Sequence, residues 1–168
     1  DGNFGITGDC KEIVAEEAKK LNVEIPKLGV MIETPSAAIA VETYTDDVDF
    51  FSIGTNDLIQ YTLAADRGLA TLSEYHDALH PSVLQLINNV IEVGVKCNIE
   101  VSVCGDMASD INGAKVLYAL GLRIFSLAPS QAPLILNSIL ISQKKLRNLD
   151  KNEILNQKNS QSVRNIIN

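Results

Sequence analysis

The chain has 168 residues, 46% of them hydrophobic, 21% charged and only 5% aromatic, with no tryptophan and a net charge of −7. That composition excludes collagen-like, disulfide-scaffold and wholly disordered chains, and the acidic balance argues against general nucleic-acid binding, which wants a basic surface. No apolar run approaches 18 residues, so no membrane-spanning helix is expected, and the opening DGNFGITGDC lacks the basic-then-apolar order of a secretory signal.

The run LGVMIE (28–33) reads as a strand, after which Thr34 can cap a helix and Pro35 suits its first position. Ala37, Ala38, Val41 and Tyr44 then recur at helical spacing. VDFFSI (48–53) is the next strand, closed by Gly54, with Thr55 expected to cap a short helix over 56–65. PSVLQLINNVIEVGVKC (81–97) is a helix whose Leu84, Ile87, Ile91 and Val95 form one stripe. IEVSVC (99–104) is a strand by strict alternation. A helix from about Asp110 to Leu120 is stopped by Gly121. RIFSLA (123–128) is a fourth strand, and Ser130 is expected to cap a last helix through Ile141. Three cysteines, Cys10, Cys97 and Cys104, form no C-x-x-C pair, a sparse set that a reducing compartment tolerates. Cytoplasm is the expected location.

Alternation of strands and helices at this spacing predicts parallel βα units. Leu28, Val30 and Ile32 share one face of the first strand, and Gly29, Met31 and Glu33 share the other. In the third, Ile99, Val101 and Val103 oppose Glu100, Ser102 and Cys104. A bulky branched face suits packing under helices, and a smaller, more polar face suits the inside of a barrel. A complete (β/α)8 TIM barrel takes about 250 residues. The expected fold is therefore α/β, with this chain supplying four βα units, half of such a barrel. Residues 1–142 are assigned to the barrel. Residues 143–168 hold six Lys/Arg against Asp150 and Glu153, a net of +4 that leaves −11 on the rest. This Asn-, Gln- and Ser-rich tail is expected to be disordered or loosely docked.

In such a fold, chemistry sits where strands end. The first strand ends in Glu33, a carboxylate on an apolar strand that must be paired, protonated or bound to a cation. The second runs into Gly54-Thr55-Asn56-Asp57, where a glycine and a helix N-terminus can cradle an anion. Carboxylates on adjacent strand ends can share a hard divalent cation, and Mg²⁺ takes one or two of them while leaving other positions to water and phosphate. The ordinary alternatives are a salt bridge for Glu33 and helix capping or dipole compensation for Asp57. Arg67, ten residues on, can bind phosphate or carboxylate bidentately, or be a surface arginine. Cys104 ends the third strand, either as a structural cysteine or as a thiol that gives or takes a proton or attacks as a nucleophile. His76 and His80 fall in a loop before Pro81, and no third zinc ligand accompanies them.

Read together and in order, MIETPSAA, DFFSIGTNDLIQYTLAADRG, HPSVLQLI and SVCGDMA resemble the phosphoenolpyruvate-binding domain of enzyme I, the phosphoenolpyruvate–protein phosphotransferase of the bacterial sugar phosphotransferase system. The resemblance covers about residues 28–135. It implies that Glu33 and Asp57 ligate Mg²⁺, that Asn56, Asp57 and Arg67 bind phosphoenolpyruvate, and that Cys104 protonates the enolpyruvate carbon. It further implies phosphoryl transfer to a histidine on another domain, then to the phosphocarrier protein HPr, and pairing of the enzyme as a homodimer. Position 106 is Asp where the resemblance leads one to expect Glu, and the phosphorylated histidine has no match here. The isolated chain is thus expected to be inactive, a fragment of the enzyme. The other readings are a non-catalytic interaction module built on the half-barrel, and the related domain of a pyruvate phosphate dikinase or phosphoenolpyruvate synthase.

Overall fold

Residues 6–66 and 76–168 are described by the computed structural model of the chain. Arg67 therefore lies outside the described residues. A helix that the apolar pattern did not single out, α1 (Ile6–Leu21), comes first, followed by β1 (Gly29–Ile32). Thr34 caps α2 (Pro35–Ile39) as expected: its backbone is extended and its hydroxyl oxygen accepts from the Ala37 N–H at 3.2 Å. The helix stops at Ala40 and resumes as a tighter 3-10 turn over Val41–Tyr44. β2 (Phe50–Gly54) runs directly into α3 (Thr55–Leu63), which Ala64 ends in a left-handed conformation. In α4 (Pro81–Cys97) the N-cap is His80, whose Nδ1 accepts from the Ser82 N–H. β3 (Glu100–Cys104) leads into a one-turn α5 (Asp106–Ser109) and then α6 (Ile111–Ala119). Asp110 caps α6 by accepting from the Gly113 N–H, and Gly121, at φ +110°, follows its end as expected. β4 is only Ile124–Phe125, shorter than the predicted strand, and α7 (Ala132–Asn148) is preceded by Gln131, so Ser130 is not its cap.

The four strands form one parallel sheet in the order β1-β2-β3-β4. Ile32, Ile53, Val103 and Phe125 stand in register across it, and Gly54 stands opposite Cys104. Alternation then divides the faces. Ile32, Phe51, Ile53 and Val103 are fully buried on the helix side, against Leu58, Leu84, Ile87 and Leu117. Each such side chain contributes about 1.5–3 kcal/mol by leaving water. Met31, Ser52, Ser102 and Cys104 share the other face, where Met31 keeps 44% of its surface exposed. Sequential parallel strands, helices on one side and a small polar concave face are the layout of half a (β/α)8 barrel. The predicted α4 stripe holds except at Val95, which is 79% exposed in the last turn.

The tail departs from expectation. α7 crosses residue 143 without a break, and α8 (Lys151–Leu155) and α9 (Ser160–Ile167) follow it. Sparse apolar residues at helical spacing explain the docking: Leu146, Ile154, Val163 and Ile167 are buried in the same core as the sheet. The polar residues that suggested disorder are partly helix caps. Asp150 accepts from the Asn152 N–H and Asn159 from the Ser162 N–H. Arg164 of α9 grips Asp77 with two N–H···O bonds of 2.8 and 2.9 Å. Burial pushes the Asp77 carboxyl up, but Arg164, the Leu79 N–H and Ser160 together hold it below the ordinary value of 3.8.

A carboxyl depressed by folding stabilises the protein above its unfolded pKa, and that contribution is lost as pH falls through the folded pKa. Arg164→Ala is expected to cost about 1 kcal/mol at neutral pH, and the difference from the parent chain should shrink below about pH 4. Urea denaturation at neutral pH and at pH 3 measures both.

Candidate functional site

Three strand ends meet in one layer. Glu33 follows β1, Gly54 ends β2 and Cys104 ends β3, and the parallel register sets Gly54 opposite Cys104. Gly54 makes this layer possible because it carries no side chain. A Cβ there would lie 3.0 Å from both the Glu33 Cβ and the Met31 Sδ, and 3.2 Å from Glu33 Oε2. The Glu33 carboxylate therefore lies across the gap left by β2.

Thr55 is not the cap of α3; Gly54 occupies that position. Thr55 is instead fully buried, and its hydroxyl donates to the Cys104 carbonyl at 2.8 Å. The next residue is held from the same side. Asn56 Oδ1 accepts from the Asp106 N–H at 2.8 Å, which fixes the orientation of the amide and leaves its NH₂ as the donor end. Asp57 stands in the first turn of α3, at the positive end of the helix dipole. Two strand-to-helix turns are thus cross-tied, β2–α3 to β3–α5. Gly105 sits at the crossing with φ +98°, where a Cβ would strike Thr55 Oγ1 and approach Asn56 Oδ1 to 2.7 Å.

Glu33, Asn56, Asp57 and Cys104 line one open cavity of about 230 Å³, together with Met31, Gly54, Thr55 and Gly105. Four of the five residues singled out from the sequence are therefore brought together, and Arg67 lies outside the described residues. Glu33 is half-buried, and the salt bridge that would have tied it off is not formed with any described residue. Among the described residues no three His, Cys, Asp or Glu side chains converge as a metal cluster. Cys104 Sγ is 3.6 Å from the Ile53 carbonyl oxygen and 3.9 Å from Met31 Sδ. Sequence reasoning missed the structural duties of Thr55 and Gly105, since a cross-tie between two turns leaves no periodic signal.

The half-barrel thus gathers two carboxylates, a carboxamide and a thiol at its strand ends. The chain belongs to the family described as PEP-utilising enzyme, PEP-binding domain, whose profile matches residues 5–144. It is 39% identical over 152 residues to the phosphoenolpyruvate-protein phosphotransferase of Staphylococcus epidermidis, a match covering 87% of this chain and 25% of that protein. The protein of the same name from Borreliella burgdorferi is 48% identical over 104 residues, 62% of this chain and 18% of that protein. For Listeria monocytogenes the match is 38% over 152 residues, again 87% and 25%. The chain thus spans about a quarter or less of the length of these relatives.

Gly105→Ala is expected to cost about 1–3 kcal/mol, from a side chain forced into the left-handed region and against Thr55 and Asn56. A lowered urea midpoint, with the loss much reduced in Gly121→Asn at the other positive-φ glycine among the described residues, is the expected pattern.

Proposed function

We propose that this chain is the C-terminal half of the phosphoenolpyruvate-binding barrel of a phosphoenolpyruvate–protein phosphotransferase. The observation that carries the reading is the meeting of Glu33, Asn56, Asp57 and Cys104 around one cavity at the strand ends. Phosphoryl transfer needs mostly positioning and charge stabilisation. Asn56, with its amide oriented by Asp106, offers N–H donors to an oxygen of the substrate. The N-terminus of α3 adds a favourable field for an anion. Arg67 is assigned to the phosphate by the resemblance of its Asp-Arg-Gly motif.

The residues suit Mg²⁺. Glu33 and Asp57 are hard oxygen donors beside the same cavity, and the missing side chain at Gly54 keeps the Glu33 carboxylate open to it. When bound, the ion would neutralise charge on the phosphoryl and enolate oxygens. Loss of the phosphoryl group to a histidine leaves an enolate, whose methylene carbon must be protonated to give pyruvate. Cys104 supplies that proton: the S–H bond breaks, and the electron pair of the enolate forms the C–H bond. The accepting histidine would lie on another domain and pass the group to HPr, and the enzyme would work as a cytoplasmic homodimer. Among the described residues no helix is long and apolar enough to cross a membrane.

Two substitutions in the complete barrel separate these roles. Glu33→Gln is expected to weaken Mg²⁺-dependent phosphoenolpyruvate binding at least tenfold, as seen by calorimetry with and without the ion. Undiminished binding would remove Glu33 from the metal site. Cys104→Ser should leave that binding within about twofold while slowing pyruvate release at least a hundredfold, the scale of losing a placed acid.

A further inference from the structure

Ser52 shares the concave face with Cys104, one layer lower on β2, directly below the gap that Gly54 leaves. Three groups approach the Cys104 sulfur: the Ile53 carbonyl oxygen at 3.6 Å, the Met31 thioether at 3.9 Å and the Ser52 hydroxyl at 4.0 Å. The carbonyl and the thioether can only accept a hydrogen bond. A protonated thiol is well served by them, because it can donate to the Ile53 carbonyl. Once the proton has gone, both turn lone pairs toward an anion. The charged side chains lining the same cavity, Glu33 and Asp57, are carboxylates and give sulfur no donor either. Of the three groups within reach of the sulfur, Ser52 alone can donate.

We propose that Ser52 is the positioning residue for Cys104, holding the sulfur toward the cavity and donating its hydroxyl hydrogen to the thiolate left by proton transfer. The inference rests on the reading of Cys104 as the proton donor. In that step the sulfur keeps the electron pair of the broken S–H bond, and the new negative charge draws in the Ser52 O–H. A long resting contact is compatible with this, since catalytic hydrogen bonds often shorten only as charge develops.

Thiol alkylation reads the contact without turnover. With Cys10 and Cys97 replaced by serine, Cys104 is the remaining thiol. Its reaction with iodoacetamide at neutral pH is expected to slow about three- to tenfold in Ser52→Ala, the effect of one charge-assisted hydrogen bond on the thiolate fraction. Ser52→Thr, which keeps the hydroxyl, should restore most of the rate. A variant that merely loosened the strand would expose the sulfur and react faster. An unchanged or faster rate in Ser52→Ala, with the circular dichroism spectrum and melting midpoint retained, overturns the proposal. In the complete barrel, Ser52→Ala should lower kcat with KM within twofold; a raised KM with unchanged kcat also overturns it. Undiminished turnover in Cys104→Ser would instead sink the role of Cys104, whatever the alkylation rates show.

Discussion

Glycine at the end of a central strand is the constraint on which the site depends. β2 lies between β1 and β3, so any side chain at position 54 would fill the space between Glu33 and Cys104. With only hydrogen there, groups from two strands that are not neighbours come within reach of each other across a third. Met31 Sδ reaches Cys104 Sγ in the same way, one layer down. Parallel register does the rest. Because pairing is fixed residue by residue along the sheet, the strand ends arrive at one level, and the chemistry is concentrated where the helices begin.

At that level hydrogen bonds between turns add to the apolar packing of Leu58, Met107 and Ala108 beneath them. Thr55 is buried and donates to the carbonyl of Cys104, while Asn56 accepts from the N–H of Asp106. Each tie satisfies a backbone group that would otherwise be short of a partner at the start of a helix or the end of a strand. The same ties orient groups the substrate would meet. The amide of Asn56 is turned by a backbone N–H, which has only one way to be satisfied. Gly105 is needed here for space as much as for its positive φ. The contacts that hold the turns thus also set the geometry of the cavity, and substitutions at these turns should disturb both.

Charge also ties the tail to the rest of the fold. The C-terminal helices carry much of the positive charge, and Arg164 brings one unit of it to Asp77, in the segment that leads into α4. Their apolar residues are too few to make a domain of their own, and they are buried by joining the core of the sheet and its helices. Leu134, Leu136, Leu140 and Ile141 of α7 remain exposed, and β4 is the last strand of the sheet. An apolar face at the edge of a half-barrel fits continuation by further βα units, in keeping with relatives about four times as long.

By itself the sequence determined the order of strands and helices, the division of the sheet into a bulky face and a small polar one, and the placement of Glu33, Asn56, Asp57 and Cys104 at strand ends. Those properties are local: a period of two, a capping threonine before proline, and a carboxylate where an apolar run stops can all be read within a few residues. Caps were less secure. Thr55 and Ser130 have the right side chains in the right neighbourhood, but Thr55 found a better acceptor on another strand, and the α7 helix began after Gln131. The tail was misread because its polar composition hides four well-spaced apolar residues whose burial depends on a core built by the rest of the chain. Only the tertiary structure decided that Gly54 is a gap, that Gly105 locks two turns together and that a serine below the gap faces the thiol. Each is a relation between strands about twenty to fifty residues apart in the chain, created by sheet register, and register acts through backbone pairing that no local pattern of side chains records.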